Sequence, residues 1–562
     1  MSTPASPPAP SSSSAAMPGI SLGLQRITRL LDLLGAPHTR VPVVHISGTN
    51  GKGSVSAYLS SILAASPRPP PFPSSTASTP TTTTTTTAKG ETLRVGRFNS
   101  PHLVSENDAI LLPPSLSPVS PALFQRTKNE ITALSTSSGV NATSFEILTA
   151  TAFTLFARAD PPLDVAVVEV GMGGAEDATN VVPAEKTLLS IVTSVELDHQ
   201  KFLGDTVGEI GRVKAGIVRE GGDVVLAKQA HAEAVQAVEA VALERNARVW
   251  HAGEATVLSS PSSTSSASPV GAETALPPAP LVSLPLTPLY TSPALSAPFS
   301  LGSRTLTAAL PLPGAYQLSN AAVAVLAAQL LRTLPRTRGM VPALEGVDDE
   351  AIQRGVEATR WEGRLSWVAL PCPLPSPLLP LSPLAAPCAP PPRPRTRRLL
   401  LDGAHNPSSA STLSSYLSSL PSSLHPTSLI VALSAPRAPR DVLGPLLSGA
   451  SGRVTRVVCT AFGAVEGMDW VRPVPTGELA RGVRALLAGR GEGGGAQGEQ
   501  VEVLEAPTAE DALRLLDALD AEEEGEGKER GTTLVAGSLY LVAEVIRVQR
   551  RIEAREEPRE AE

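Results

Sequence analysis

The apolar positions of this chain fall into short runs at the spacing of alternating strands and helices. Val43–Ile46, Val165–Val170, Leu188–Val192 and Val224–Ala227 form one set; Arg398–Leu401, Leu429–Leu433, Val454–Cys459 and Thr533–Ala536 form a second. Most are apolar throughout rather than alternating, which is the pattern of strands buried on both faces of a parallel sheet, and helix-period segments separate them. Between the sets lie a helical stretch, Asn320–Leu331, and a charged segment, Asp348–Glu357. The pattern predicts an α/β protein of two domains with a boundary near residue 358.

Composition interrupts this pattern. The 562 residues include 55 prolines, and Pro, Ser and Thr concentrate in 1–18, 67–88, about 258–300 and about 369–397, where too few apolar side chains remain to bury a core. The expected organisation is a disordered N-terminus (1–18), a first domain (19–358) with inserts at 67–88 and 258–300, a second domain (359–552) with a Pro-rich insert at 369–397, and an acidic tail (553–562). The 46 basic and 53 acidic side chains give a net charge of −7 without a basic stripe, so no nucleic-acid partner is expected. The longest apolar run, about Ala321–Leu331, is shorter than the ~20 residues that cross a bilayer. The first 25 residues contain no basic n-region, apolar h-region or Arg, so the expected location is the cytosol, with the mitochondrion as the alternative. Cys372, Cys388 and Cys459 form no CxxC pair, which argues against a disulfide framework or a zinc site.

Three motifs carry chemistry. Directly after the first strand comes Ser47-Gly48-Thr49-Asn50-Gly51-Lys52-Gly53-Ser54, followed by a helix with Val55, Tyr58, Leu59 and Ile62 on one face. Strand, glycine loop and helix make a phosphate cradle, in which Lys52 brings positive charge and Ser54 a hydroxyl for Mg2+. The loop departs from GxxxxGK[ST], because Ile46 stands at the first glycine position and Gly53 separates Lys52 from Ser54. Glu169 and the glycines Gly171, Gly173 and Gly174, leading to Asp177-Ala178-Thr179-Asn180, sit at the carboxyl end of another strand, the edge where open α/β sheets bind ligands. Read alone, a strand-ending Glu before a glycine turn is more often structural. Asp198-His199 precedes a helix whose start is marked by a Thr206-x-x-Glu209 capping box, and two turns in stands Lys214, close to the Ile210/Ile217 face. Without further context Lys214 reads as a lysine that snorkels to water.

Taken with Ser100-Pro101-His102-Leu103, Ser144–Ala150, Lys214–Ile217, Gly314–Ala321, Gly363-Arg364-Leu365, Asp402-Gly403-Ala404-His405-Asn406 and Gly537–Leu541, these motifs run in order from residue 48 to residue 541. In them the chain resembles the folate-conjugating Mur-type ligases, which include dihydrofolate synthase and folylpolyglutamate synthase. The resemblance implies a P-loop ATPase domain with a mainly parallel sheet and a smaller Rossmann-like C-terminal domain. It also implies an ATP-dependent amide ligase acting through an acyl phosphate, as a monomer, with a pteroate and L-glutamate as substrates. By resemblance, Lys52 and the loop residues Gly48, Thr49, Asn50, Gly51, Gly53 and Ser54 hold phosphates, with Asn320, Arg364, Asp402 and His405 as further nucleotide contacts. Ser54, Ser100, Glu169 and His199 are implied metal ligands for Mg2+, together with Lys214 as a carbamate. Lys52, His199 and Lys214 form the implied catalytic set, and Pro101, His102, Phe145 and Asp177 are implied substrate contacts, Phe145 and Asp177 on the pterin side. Where many relatives carry an arginine pair, Val104–Ile110 offers Glu106 and Asp108, which are expected to repel a polyglutamate tail. The expected acceptor is therefore dihydropteroate; folylpolyglutamate synthesis, a bifunctional enzyme and a non-catalytic nucleotide-binding protein of the same fold are the alternatives.

Overall fold

The computed structural model describes residues 23–69, 91–259, 279–287, 289–291, 299–300, 304–372, 374, 395–449, 454–468, 471–488, 501–525 and 531–556. Among these, the strand Val43–Ser47 lies at the centre of a ten-stranded sheet. On one side it pairs in parallel with Val165–Glu169, which pairs with Val95–Phe98; on the other, Thr187–Val192, Asp223–Leu226 and Arg248–His251 follow, all parallel. Short antiparallel strands close both edges. The central strand is buried over its whole length, as its unbroken apolar run requires. The helix Lys52–Ala64 leaves its carboxyl end and packs with Tyr316–Thr333, whose Ala321–Ala328 are all buried. This packing fixes the height of the glycine loop above the sheet.

A second, six-stranded sheet runs Ser366–Cys372, Arg395–Leu401, Thr532–Ala536, Pro426–Val431, Arg456–Cys459 and Glu502–Glu505, parallel except at its first strand. The helix Asp349–Ala358 and the connector 359–365 join the sheets. The sheets meet where Arg547 Nη2 donates to the Val104 carbonyl at 2.7 Å and Arg550 pairs with Asp108 at 3.3 Å. No helix of the described residues is long and apolar enough to cross a membrane.

Three of the expected segment boundaries, of two inserts and the acidic tail, need correction. Within about 258–300, Leu281–Pro285 is the middle strand of a three-stranded antiparallel sheet, and Val282 and Leu284 are fully buried in the core of the first region. Their alternation with Ser283 is a strand signal that averaging over a Pro/Ser-rich window hides. The Pro-rich insert at 369–397 is likewise shorter, because a strand continues to Cys372 and another starts at Arg395, with Arg397 among the most buried side chains. The acidic tail expected from residue 553 begins inside the helix Leu539–Glu556. The N-terminal stretch 1–18, residues 70–88 of the first insert and the last six residues lie outside the described residues.

Candidate active site

The loop Gly48–Gly51 folds tightly enough that only glycine fits at two places. Gly48 has φ +140 and a Cβ there would lie 1.9 Å from Thr193 Oγ1; Gly51 has φ +90 and a Cβ there would lie 2.4 Å from Asn320 Oδ1. Asn320, itself held by Gln317 Oε1 at 3.0 Å, is thus in contact with the loop. Gln317 also donates to Ser54 Oγ at 3.2 Å.

Two ammonium groups converge on one carbonyl. Lys52 Nζ donates to Gly48 O at 3.0 Å and Thr49 O at 3.1 Å, and Lys214 Nζ donates to Gly48 O at 3.0 Å. Lys214 is 3% exposed and does not reach water, contrary to the snorkelling reading. Burial, reinforced by the neighbouring Lys52 charge, lowers its pKa to about 7 against the partial counterweight of Asp198 and Asp177. The capping box places this helix as the sequence predicts: Glu209 N donates to Thr206 Oγ1 at 3.2 Å and Thr206 N to Glu209 Oε2 at 3.1 Å.

Glu169 ends its strand 5% exposed, and burial raises its pKa while Lys52, Asn99 and Arg364 favour the anion. Asn99 Nδ2 donates to Glu169 Oε2 at 2.6 Å; beside it, Asn99 Oδ1 and Ser100 Oγ are buried without a hydrogen-bond partner. A carboxylate flanked by unpaired neutral oxygens suits a hard, oxygen-seeking cation. Among the described residues, no three His, Cys, Asp or Glu side chains form a ready metal cage. Magnesium, which keeps several water and phosphate ligands, does not require one. His199, its side chain half exposed and 3.6 Å from Asp198, takes a left-handed backbone (φ 51) that turns the chain into the next helix; partial desolvation and the Lys214, Lys52 and Arg437 charges lower its pKa, while Asp198 raises it.

Among the residues expected to meet the pterin, Phe145 lies over Gly171, where a Cβ would sit 2.3 Å from its ring, and stacks with Phe98 at 6.3 Å. Asp177 is 2% exposed, and its oxygens accept from Met172 N, Thr179 N and Thr179 Oγ1 at 2.5–2.9 Å, so its carboxylate ties the glycine loop together. Pro101 is exposed and His102 buried, the latter near Glu106, Glu466, Asp108 and Arg547 at the junction of the two sheets. Here one expectation fails. Glu106 is buried and bonded to Lys128, and Asp108 accepts from Val104 N, Ser105 N and Arg550, so neither carboxylate is presented to repel a substrate tail.

The second region supplies Asp402, whose oxygens accept from Leu365 N at 2.9 Å and Ala404 N at 2.8 Å and whose pKa is raised by burial. His405 Nδ1 bonds to Gly403 O at 2.7 Å, and burial lowers its pKa to about 4, so the ring is neutral and donates from Nδ1. Arg364 adds positive charge near Glu169, Asp402 and His405. Sequence reasoning missed two cations. Arg437, in the loop after the strand Pro426–Val431, reaches the field of Asp198, His199 and His405 from across the junction. Arg97, an arginine inside the apolar run Val95–Phe98, is 7% exposed; its placement in a strand was the available signal.

Known proteins match this arrangement over most of its length. The family description "Dihydrofolate synthetase, C-terminal domain" matches residues 391–548. The dihydrofolate synthetase of Saccharomyces cerevisiae is 29% identical over 535 residues, covering 94% of this chain and 98% of the yeast protein. The dihydrofolate synthase/folylpolyglutamate synthase of Bacillus subtilis is 30% identical over 359 residues, 62% of this chain and 67% of that protein. Among solved structures, Mycobacterium tuberculosis folylpolyglutamate synthase complexed with ADP aligns with a TM-score of 0.60 at 25% identity, covering 93% of each chain.

Proposed function

The chain belongs to the family of dihydrofolate synthases and folylpolyglutamate synthases, and on that premise we propose that it joins L-glutamate to dihydropteroate with ATP, giving dihydrofolate, ADP and phosphate. The observation that carries this reading is the convergence of Lys52 and Lys214 on the Gly48 carbonyl beside Glu169. At this loop the Lys52 charge suits a polyphosphate better than a structural turn, while the crowding that depresses the Lys214 amine prepares that residue for conversion to an anion. Dihydropteroate is favoured over a folate already bearing glutamate because the yeast relative that matches over nearly its full length is a dihydrofolate synthetase.

A carboxylate is a poor electrophile, since its charge repels nucleophiles and its leaving group is oxide. Attack of a carboxylate oxygen on the γ-phosphorus releases ADP and leaves an acyl phosphate. The glutamate amine then adds to the acyl carbon, and phosphate departs carrying one of the original carboxylate oxygens. Lys52 and the amides of Gly48–Ser54 hold the phosphates and spread the charge of the transferring phosphoryl group. Asn320, Arg364, Asp402 and His405 position the nucleotide from the junction, and Arg437 extends that positive field toward Asp198. Phe145, Pro101 and His102 border the pterin, whose loop Asp177 keeps in shape.

The residues present fit magnesium: Glu169, Ser54, Ser100 and His199 would hold it, with the unpaired Ser100 oxygen as the clearest sign. When bound, the ion supplies charge neutralisation at the β- and γ-phosphates. Lys214 complements this set as a carbamate. With a pKa of about 7 its amine is neutral often enough to add to carbon dioxide; the N–C bond forms, a proton leaves, and a cation becomes an anion beside the metal residues.

The acyl phosphate is tested with dihydropteroate carrying heavy oxygen in its carboxylate. The reading expects one labelled oxygen in the phosphate released per dihydrofolate formed; label-free phosphate would exclude the intermediate.

A further inference from the structure

The connector between the two sheets does more than span them. Trp361 lies against the phosphate loop at Gly53, where a Cβ would fall 2.4 Å from ring atom Cζ2, and the three nearest atoms to such a Cβ all belong to Trp361. The Arg97 guanidinium stands 5.1 Å from the centroid of the same ring. Its Nη1 donates to Ser60 Oγ, on the helix that the loop opens, at 3.2 Å, while its Nε is buried without a partner. Among the described residues this buried cation is held by one hydroxyl and the face of a ring, with the Glu169 charge acting on it but no carboxylate within ion-pair distance, so it is costly to place.

The same connector is fixed to the second region over residues 362–365. Glu362 pairs with Arg550 at 2.9 Å, Gly403 N donates to Gly363 O at 3.2 Å, and Leu365 N donates to Asp402 Oδ2. Leu365 holds a left-handed backbone (φ 47), strained for a bulky residue, and Gly363 has φ 78. Arg364 therefore sits between a ring seated on the phosphate loop and a peptide clamped by Asp402.

We infer that Trp361, held by Arg97, is a positioning residue that registers the connector on the phosphate loop, so that ordering the loop around a nucleoside di- or triphosphate and seating Arg364 beside Asp402 occur together. The inference rests on the nucleotide-site reading above. Its mechanism is steric and local: the ring occupies the space that Gly53 leaves open, and the guanidinium prevents it from swinging away.

The test measures ADP affinity by calorimetry, which needs no ligation, alongside the ATP KM and kcat of the full chain. Trp361→Ala is expected to weaken ADP and raise the ATP KM about tenfold, with kcat at saturating ATP within about threefold and the dihydropteroate KM unchanged. Trp361→Phe should recover most of the loss. Gly53→Ala alone should also weaken ADP, but should add little on top of Trp361→Ala, because its clash is with the ring. If Trp361→Ala does not fold, Arg97→Met carries the test, with the same expected loss. Wild-type ADP affinity in folded Trp361→Ala or Arg97→Met, or full additivity of the two substitutions at 53 and 361, would overturn the inference. A wild-type chain that binds ADP but ligates nothing would instead overturn the ligase reading and leave this one standing.

Discussion

Two buried cations show how differently the halves of this protein treat charge. In the second sheet, Arg397 has a side chain 2% exposed and is fully matched: it donates to Asp517 at 2.9 Å, to Asp520 at 2.8 Å and to Thr533 Oγ1 at 3.0 Å, and Asp520 also accepts from Arg456. In the first, Lys214 is as deeply buried but donates to one backbone carbonyl that it shares with Lys52. The first arrangement satisfies a charge; the second leaves two amines facing one carbonyl at the mouth of a glycine loop, unmatched until bound phosphate and a carbamate supply negative charge. A fold keeps such a deficit where a ligand's charge completes it, which makes matching a better guide to the site than burial.

Breaking the matched network should have the largest effect. Arg397→Ala removes the cation that two buried carboxylates, Asp517 and Asp520, share and is expected to cost about 3–5 kcal/mol in denaturant unfolding, with ADP affinity of the folded fraction unchanged. Lys52→Ala should do the reverse, lowering kcat about 10²–10³-fold while the melting temperature stays near wild type. If either variant shows the other's signature, the contrast between the regions is wrong.

The same contrast divides the segment once read as a single insert. Leu284→Ala should cost about 2 kcal/mol or more, since the side chain is fully buried. Replacing 260–278 by a short Gly/Ser bridge should change stability by less than about 0.5 kcal/mol and leave activity unchanged. A destabilising bridge would show that those residues are part of the packed structure.

The smallest effect is a slope with pH. Unfolded, Lys214 keeps its proton to near the ordinary 10.5; folded, it releases it near 7, so between the two the unfolded chain holds more protons and this residue makes stability rise with pH. Lys214→Met should remove that rise, measured by unfolding at pH values from 7 to 10 in carbon dioxide-free buffer. An identical slope in wild type and variant would mean that Lys214 is not depressed.

What the sequence revealed depended on distance along the chain. The glycine loop between strand and helix, the Thr206/Glu209 cap and the central strands were legible because each is written in consecutive residues with its own spacing. Glu106 and Asp108 were misread because their partners, Lys128 and Arg550, stand far away in sequence, and a carboxylate looks free until its cation is located. The Trp361 contact with Gly53 was invisible for the same reason, although the glycine that permits it was plain. The strand Leu281–Pro285 was lost to its Pro-rich neighbourhood, where three alternating positions do not outweigh the composition around them.

The central claim is the reaction itself. Purified chain is given ATP, Mg2+ and labelled glutamate with either dihydropteroate or tetrahydrofolate, and the folate products are separated. The account predicts glutamate incorporation with dihydropteroate, matched by ADP release. Efficient extension of tetrahydrofolate with no use of dihydropteroate, or no incorporation with either acceptor, would contradict it.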